Sequence, residues 1–155
     1  MSDAFERIAS LNARYARCID DGSLAEWPDF FTERCLYKVT TADNVAEGFE
    51  AGVIFADSRA MLVDRVSALA EANIYERHRY RHILGAPFVL GEDDGATRSE
   101  TAFLVVRIMR DGTSDVFASG RYVDVVRMED GTAKLAQRIV VCDSARIDTL
   151  LALPL

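Results

Sequence analysis

The two histidines of the chain, His78 and His82, lie four residues apart in one polar segment. Two histidines and a carboxylate are a frequent ligand set for non-haem iron, so the first hypothesis is a metal site. On a helix these positions would be neighbours on one face, but the segment leads into a region rich in strand-forming residues. The competing hypothesis places one histidine in the core or at an interface. The ring of the other then forms hydrogen bonds with backbone groups. We predict no metal ligand in the chain, and it contains no CxH or CxxH pair of the kind that holds a Rieske cluster.

Three arginines alternate through the same segment, at Arg77, Arg79 and Arg81. Alternate residues of a strand share one face, so the three guanidinium groups are predicted to point the same way. Arginine is favoured for bidentate pairing with carboxylates across protein interfaces. We therefore predict that Arg77, Arg79, Tyr80 and Arg81 contribute to a subunit interface, with a solvated surface as the alternative.

Acid–base catalysis is the enzymatic alternative, with Tyr15, His82 and Asp124 as its candidate groups. An apolar pocket raises the pKa of a carboxyl group toward a range that is useful at neutral pH. Isolated polar residues on strand faces are usually paired structurally, so we assign no catalytic residue. Nucleophilic and nucleotide-binding chemistry lack support, because the chain has no GxSxG, GxGxxG, GxxxxGKS or GxxxxGKT sequence. The scattered cysteines are typical of buried, reduced thiols: Cys18, Cys35 and Cys142.

Length and composition bound the class of protein. A chain of 155 residues with 50% hydrophobic residues fits one domain with its own core, assigned to residues 1–155. The formal net charge of −7 argues against a nucleic-acid partner, whose phosphates would repel it. No apolar run approaches the roughly 20 residues that span a bilayer, so we predict no membrane association. The first ten residues alternate charged and apolar side chains instead of forming a signal peptide, and we therefore predict a cytoplasmic location.

The elements that must position these groups divide into a helical first half and a strand-rich second half. The first helix is predicted over residues 3–20, because apolar side chains recur there at spacings of three and four. Gly22 is suited to the left-handed position that follows a helix. Ser23 and Glu26 form a capping-box pattern that predicts a second helix, and Pro28 limits its length.

The rest of the first half is predicted as short elements. A strand, a loop and a second strand follow one another over residues 35–40, 41–52 and 52–56. A third helix is predicted over 59–72, with Asp57 or Ser58 as its cap.

The second half of the chain has the pattern of an antiparallel meander. Asp-Gly pairs supply the positive φ that tight hairpin turns require, at Asp94-Gly95, Asp111-Gly112 and Asp130-Gly131. They separate four predicted strands over residues 79–91, 98–110, 114–128 and 133–143. The strands are apolar on both faces; Val116, Ala118, Tyr122 and Val126 are assigned to one face, and Phe117, Val123 and Val125 to the other. One face is therefore expected to pack on the helices and the other on a second protein surface. The result is an α+β, cone-shaped fold in which a strongly curved antiparallel sheet wraps around about three N-terminal helices.

Several motifs along nearly the whole chain resemble the small, or β, subunits of aromatic-ring-hydroxylating dioxygenases. The most specific are the run through the two histidines, residues 72–82, and the ending at residues 152–155. The other matching segments are residues 19–22, 26–31, 35–39, 56–59, 64–66, 116–120 and 142–144.

The resemblance implies a cone-shaped subunit related in fold to scytalone dehydratase and ketosteroid isomerase. It implies a large α subunit as partner, a β trimer, and an α3β3 hexamer. It also implies that the Rieske 2Fe–2S cluster and the mononuclear iron belong to the α subunit, and that NAD(P)H supplies electrons through a separate reductase. The expected reaction is cis-dihydroxylation of an aromatic acid, with a structural role for this chain. The alternative is a free-standing dehydratase or isomerase of the same fold.

Overall fold

The chain places helices first and strands second, as the α+β prediction requires. The computed structural model describes residues 3–49, 52–72, 78–144 and 153–155. Its helical elements are α1 (Asp3–Asp20), a 3-10 helix (Leu24–Phe30), α2 (Ala42–Ala46) and α3 (Arg59–Ala72). Its strands are β1 (Phe31–Thr41), β2 (Ile54–Ala56), β3 (His78–Leu84), β4 (Phe88–Asp93), β5 (Ala96–Met109), β6 (Ser114–Glu129) and β7 (Thr132–Cys142).

The seven strands form one sheet in the order β2-β1-β7-β6-β5-β3, and β4 pairs with the other end of β5. The predicted meander is confirmed from β4 to β7, where each strand pairs antiparallel with the next. The prediction of a wholly antiparallel sheet is wrong at one place, because β1 and β7 pair in parallel. A parallel pair needs a long crossover connection, which the many elements between β1 and β7 supply.

The predicted hairpin turns are present. Asp94, Gly95, Asp130 and Gly131 all have positive φ, between 51° and 78°, as two-residue turns of the hairpin type require. Asp111-Gly112 belongs to a longer connection, closed by the hydrogen bond from the Met109 N–H to the Thr113 carbonyl oxygen at 2.8 Å. The strand predicted over 79–91 is divided into β3 and β4, because residues 85–87 break it and Pro87 lacks an N–H donor.

The predicted limits of α1 and α3 are confirmed, whereas the second helix differs from its prediction. It is a 3-10 helix, and the Ser23 side chain makes no capping hydrogen bond, so the capping-box prediction is wrong. Pro28 lies inside this helix and cannot donate a backbone hydrogen bond, which prevents a longer α-helix. The Ser58 hydroxyl does cap α3, accepting from the Met61 N–H at 3.2 Å. The region predicted as a loop over 41–52 contains the short helix α2.

The core lies on one face of the sheet, where α1, the 3-10 helix and α3 pack. Fully buried aromatic rings fill its centre, with edge contacts such as Trp27 to Tyr37 at a centroid distance of 5.1 Å. A bulge at Phe117 shifts the alternation of β6. Phe117 therefore stacks on the buried Tyr80 with centroids 5.2 Å apart, while Val116 is 65% exposed. This corrects the predicted faces of β6 at residues 116 and 117.

Candidate functional site

A fully buried ion pair lies between the neighbouring strands β6 and β7. Asp124 and Arg138 are directly opposite in the strand register. Arg138 donates from Nε to Asp124 Oδ1 at 2.9 Å and from Nη2 to Oδ2 at 2.8 Å, and both side chains have no exposed surface. The same Nη2 donates to Asn12 Oδ1 at 2.5 Å, and Asn12 donates to the Thr101 hydroxyl at 3.1 Å. This network joins α1 to three strands.

Two tyrosine rings enclose the guanidinium group of Arg138. Its Cζ lies 4.3 Å from the ring centroid of Tyr15 and 3.9 Å from that of Tyr122. Burial alone would lower the pKa of Arg138, but the charge and hydrogen bonds of Asp124 outweigh it and hold that pKa above its usual range. Arg138 therefore stays positively charged, and Asp124 compensates that charge. This behaviour is typical of a structural ion pair and not of a group that donates protons.

A second buried pair joins the end of α1 to β3, an edge strand of the sheet. His82 Nδ1 lies 2.7 Å from Asp20 Oδ1, and the backbone N–H of His82 donates to Asp20 Oδ2 at 2.9 Å. Arg81 Nη1 lies 3.8 Å from the same carboxylate. One carboxylate thus pairs with three groups of β3 and covers part of its open edge, a position that otherwise invites pairing with other strands.

Each of the three acid–base candidates is engaged by other buried groups, and Tyr15 and Asp124 share Arg138 as a neighbour. The Tyr15 hydroxyl donates to the main-chain oxygen of Leu155 at 2.8 Å, whereas Asp124 pairs with Arg138 and His82 with Asp20. A groove of about 710 Å³ between α1 and the β3–β4 connection reaches His82. Tyr15 and Asp124 are 0% and 1% exposed and do not open onto it. The structure therefore does not bring the three candidates together around one pocket.

The residues present do not fit a Rieske cluster or a mononuclear iron site. His78 and His82 lie on the same side of β3, with the Tyr80 ring in contact with both at centroid distances of 5.2 and 6.0 Å. Among residues 3–49, 52–72, 78–144 and 153–155, no group of three or more His, Cys, Asp or Glu side chains could hold a metal ion. Burial raises the pKa of each thiol to about 11, which disfavours the thiolate that a metal needs; these are Cys18, Cys35 and Cys142.

The predicted interface segment divides between the two faces of β3. Arg79 and Arg81 are exposed on the outer face, and the Arg81 side chain is 67% exposed. Tyr80 is 2% exposed and faces the core. Arg77 lies outside the residues that the structure describes.

Beside these arginines the outer face of the sheet carries an apolar patch, next to the ion pair between Arg121 Nη1 and Glu100 Oε1 at 2.6 Å. Arg81 lies opposite Val106 and Ile83 opposite Leu104 in the β3–β5 register. Apolar side chains continue across the face, and none belongs to the buried core: Ile83, Leu104, Val106, Val123, Val125 and Ile139. In that part of the chain no helix is long and apolar enough to cross a bilayer.

Comparison with known proteins identifies the family. The model of the ring hydroxylating beta subunit matches residues 14–149. Over 149 residues the chain is 54% identical to the terephthalate 1,2-dioxygenase terminal oxygenase component subunit beta 1 of a Comamonas species, covering 96% of this chain and 97% of that one. The chain belongs to the ring-hydroxylating β-subunit family. It is also 38% identical to the anthranilate 1,2-dioxygenase small subunit of Burkholderia cepacia, over 96% of this chain and 92% of that one.

Solved structures agree with this family and with the cone-type fold. A crystal structure from Novosphingobium aromaticivorans, assigned as a β subunit of this class, superposes with a TM-score of 0.91 at 38% identity, covering 98% of this chain and 97% of that one. One structure assigned as a scytalone dehydratase, also from Novosphingobium aromaticivorans, superposes with a TM-score of 0.68 at 16% identity, covering 90% of this chain and 83% of that one, which shows the fold alone. The predicted fold and the predicted role as a β subunit of an aromatic-ring dioxygenase are therefore confirmed.

Sequence reasoning missed the partners that occupy the candidate groups. Asp20 and Leu155 lie in segments that carry the family resemblance and Arg138 lies in none, but the sequence shows none of their pairings, because each meets its partner through tertiary structure. Only Arg138 had a local signal: the Asp130-Gly131 turn brings β7 back beside Asp124.

Proposed function

We propose that this β subunit is structural and has no catalytic activity of its own. The observation that carries the proposal is that Tyr15, His82 and Asp124 each have a buried hydrogen-bonding partner, and that the groove reaching His82 is lined by neither of the other two. The large α subunit of the oxygenase would then hold the Rieske 2Fe–2S cluster and the mononuclear iron. A separate reductase would deliver electrons from NAD(P)H. We also propose that residues 1–155 form a single domain and that the protein is cytoplasmic.

The proposed assembly is a β trimer within an α3β3 hexamer. The apolar patch on the outer face of the sheet supports it, because contiguous apolar surface of this kind is normally covered by another protein surface. Arg79 and Arg81 border that face, as charged residues do at the rim of an interface. Their proposed partners are carboxylates of a neighbouring subunit.

The proposed substrate of the whole oxygenase is an aromatic carboxylic acid similar to terephthalate. The two relatives named above are subunits of dioxygenases named for terephthalate and anthranilate, which are both aromatic carboxylates. The α subunit would bind the acid and insert both atoms of O2 into the ring to give a cis-dihydrodiol. The β subunit would hold neighbouring α subunits in the arrangement that electron transfer requires.

The first experiment separates a structural subunit from an active one. The purified chain is compared with the same chain co-expressed with its large subunit, by iron content and by oxygen uptake on terephthalate, benzoate and anthranilate, with the reductase and NAD(P)H added to both samples. The proposal predicts no stoichiometric iron and no uptake for the chain alone, and substrate-dependent uptake for the complex. Iron or turnover in the clean chain would contradict the structural role.

The second experiment tests the arginine rim. Arg79→Glu with Arg81→Glu should weaken assembly, because the new carboxylates would repel those of the partner. Arg14→Glu with Arg34→Glu is the matched control, since it makes the same charge change at exposed residues of α1 and β1. Sedimentation velocity of each variant gives the fraction assembled. Unchanged assembly of the Arg79 and Arg81 variant, or equal loss in the control, would remove the basis for this rim.

A further inference from the structure

The β3 edge of the sheet carries exposed apolar side chains beside its arginines. The sheet order ends in β3 on one side and in β2 on the other. On β3 the residue Ile83 is 54% exposed. Val116, which lies opposite Val106 on the neighbouring strand, is 65% exposed. Apolar surface beside the last strand of a sheet invites contact with another chain.

A second apolar surface lies at the opposite edge of the sheet. Its exposed side chains, here called the β2 edge surface, are Val45, Phe49, Val53 and Phe55. Phe55 lies opposite Lys38 in the β1–β2 register, and the Val53 N–H donates to the carbonyl oxygen of Val39 at 2.8 Å. α2 follows β1 directly, so it begins beside the same strand end. The apolar side chains of this edge therefore come from α2, from β2 and from the residues next to them.

The two surfaces carry charges of opposite sign. Arg79 and Arg81 are exposed on β3, and the Arg81 side chain remains 67% exposed although its Nη1 lies 3.8 Å from Asp20. On the other edge the exposed charged residues of α2 and of its C-terminal cap are acidic, namely Asp43 and Glu47. Each surface therefore combines apolar area with the charge that complements the other surface.

We propose that the β2 edge surface of one copy docks on the β3 edge of the next copy, with Asp43 and Glu47 facing Arg79 and Arg81. Because the two surfaces lie at opposite edges of the sheet, they meet between copies. A contact between two different patches of identical chains forms a closed ring when the rotation between copies closes. The inference rests on the proposed β trimer and names the two surfaces that form each of its contacts.

Charge reversal on each surface, alone and together, tests the contact by sedimentation velocity of the chain without the large subunit. Asp43→Lys with Glu47→Lys should raise the concentration at which half of the chain is assembled by about 10-fold or more, because like charges would face each other. Arg79→Glu with Arg81→Glu should have the same effect. All four substitutions in one chain should restore assembly to within about 3-fold of the native chain, since the facing charges are again opposite.

The matched control adds Glu6→Lys and Glu129→Lys to the variant with Arg79→Glu and Arg81→Glu. Both residues are exposed and belong to neither surface, one on α1 and the other at the end of β6, so assembly should stay weak. The apolar part is tested by Phe55→Ser, which should weaken assembly by about 10-fold. Phe88→Ser is its control, because Phe88 is 68% exposed on β4 outside both surfaces, and it should leave assembly unchanged.

Circular dichroism of each variant establishes that it is folded before assembly is compared. A trimer that is insensitive to both charge reversals would overturn the contact and leave the β trimer in place. Four substitutions that restore no more assembly than the control would overturn it in the same way. A native chain that is monomeric at every concentration would contradict the β trimer itself, and with it this contact.

Discussion

Replacing Asp124 by leucine should remove the partner of a charge that has no access to water. Arg138 would keep its hydrogen bond to Asn12 and its contacts with the rings of Tyr15 and Tyr122. It would lose two short charge-assisted hydrogen bonds, at 2.9 and 2.8 Å. The loss leaves an uncompensated guanidinium group in the core.

The size of the effect follows from those contacts. Removing one partner of a buried ion pair typically costs about 3–5 kcal/mol of the free energy of unfolding. The two ring contacts of Arg138 are present before and after the substitution, so they do not change the difference. We therefore expect Asp124→Leu to lower the free energy of unfolding by about 3–5 kcal/mol.

The double variant Asp124→Leu with Arg138→Met is the decisive comparison. It replaces the pair with apolar groups, which is often neutral for stability. The remaining cost is the unpaired side-chain oxygen of Asn12, about 1–2 kcal/mol. The double variant should therefore be more stable than the Asp124→Leu single variant, although it carries one more substitution.

Urea unfolding followed by tryptophan fluorescence measures these differences. Trp27 is the single tryptophan of the chain and is fully buried, so its emission reports on the core. All variants are compared at one protomer concentration, because association would add to the apparent stability. Additivity of the two single substitutions within about 0.5 kcal/mol would refute a coupled pair.

Other outcomes follow from backbone crowding and from burial of the thiols. Gly120→Ala should destabilise the chain by about 3 kcal/mol or more, because its Cβ would lie 1.9 Å from the carbonyl oxygen of Val141. Gly91→Ala is the control, since its Cβ meets only the end of the Arg98 side chain at 3.4 Å, and equal losses in urea would contradict the argument. Burial raises the pKa of three thiols to about 11, those of Cys18, Cys35 and Cys142. They should therefore react with an aromatic disulfide reagent at pH 8 far more slowly in the native chain than in the unfolded chain. Rapid labelling of the native chain would count against their burial. Above pH 9 the unfolded chain releases thiol protons that the folded chain retains, so the free energy of unfolding should fall between about pH 9 and 11, and a rise across that window would be inconsistent with these shifts.

The sequence predicted correctly those elements that depend on interactions between residues close together in the chain. The apolar spacing of α1 and the Asp-Gly turns act within a few residues, and both are where the sequence placed them. The parallel pairing of β1 with β7 depends on contacts between residues that are far apart in the chain. No periodicity within either strand contains that information.

Counting residues back from the hairpin turn does not predict the partner of Arg138, because one bulge shifts the strand register. From the pairing of Glu129 with Thr132 at the turn, simple counting places Asp124 opposite Gln137. The register shifts by one residue beyond Val126, and Asp124 meets Arg138 instead. The inward direction of Arg138 follows from the same shift, so a buried cation could not be expected from alternation alone.

The central claim, that this chain is a β subunit whose role is assembly, is tested most directly by the mass of its complex. The chain is co-expressed with its large oxygenase subunit, purified through a tag on the large subunit alone, and measured by native mass spectrometry. We expect one dominant species that contains three copies of each subunit, and a trimer when the chain is expressed alone. A chain that stays monomeric and fails to co-purify with the large subunit would contradict it.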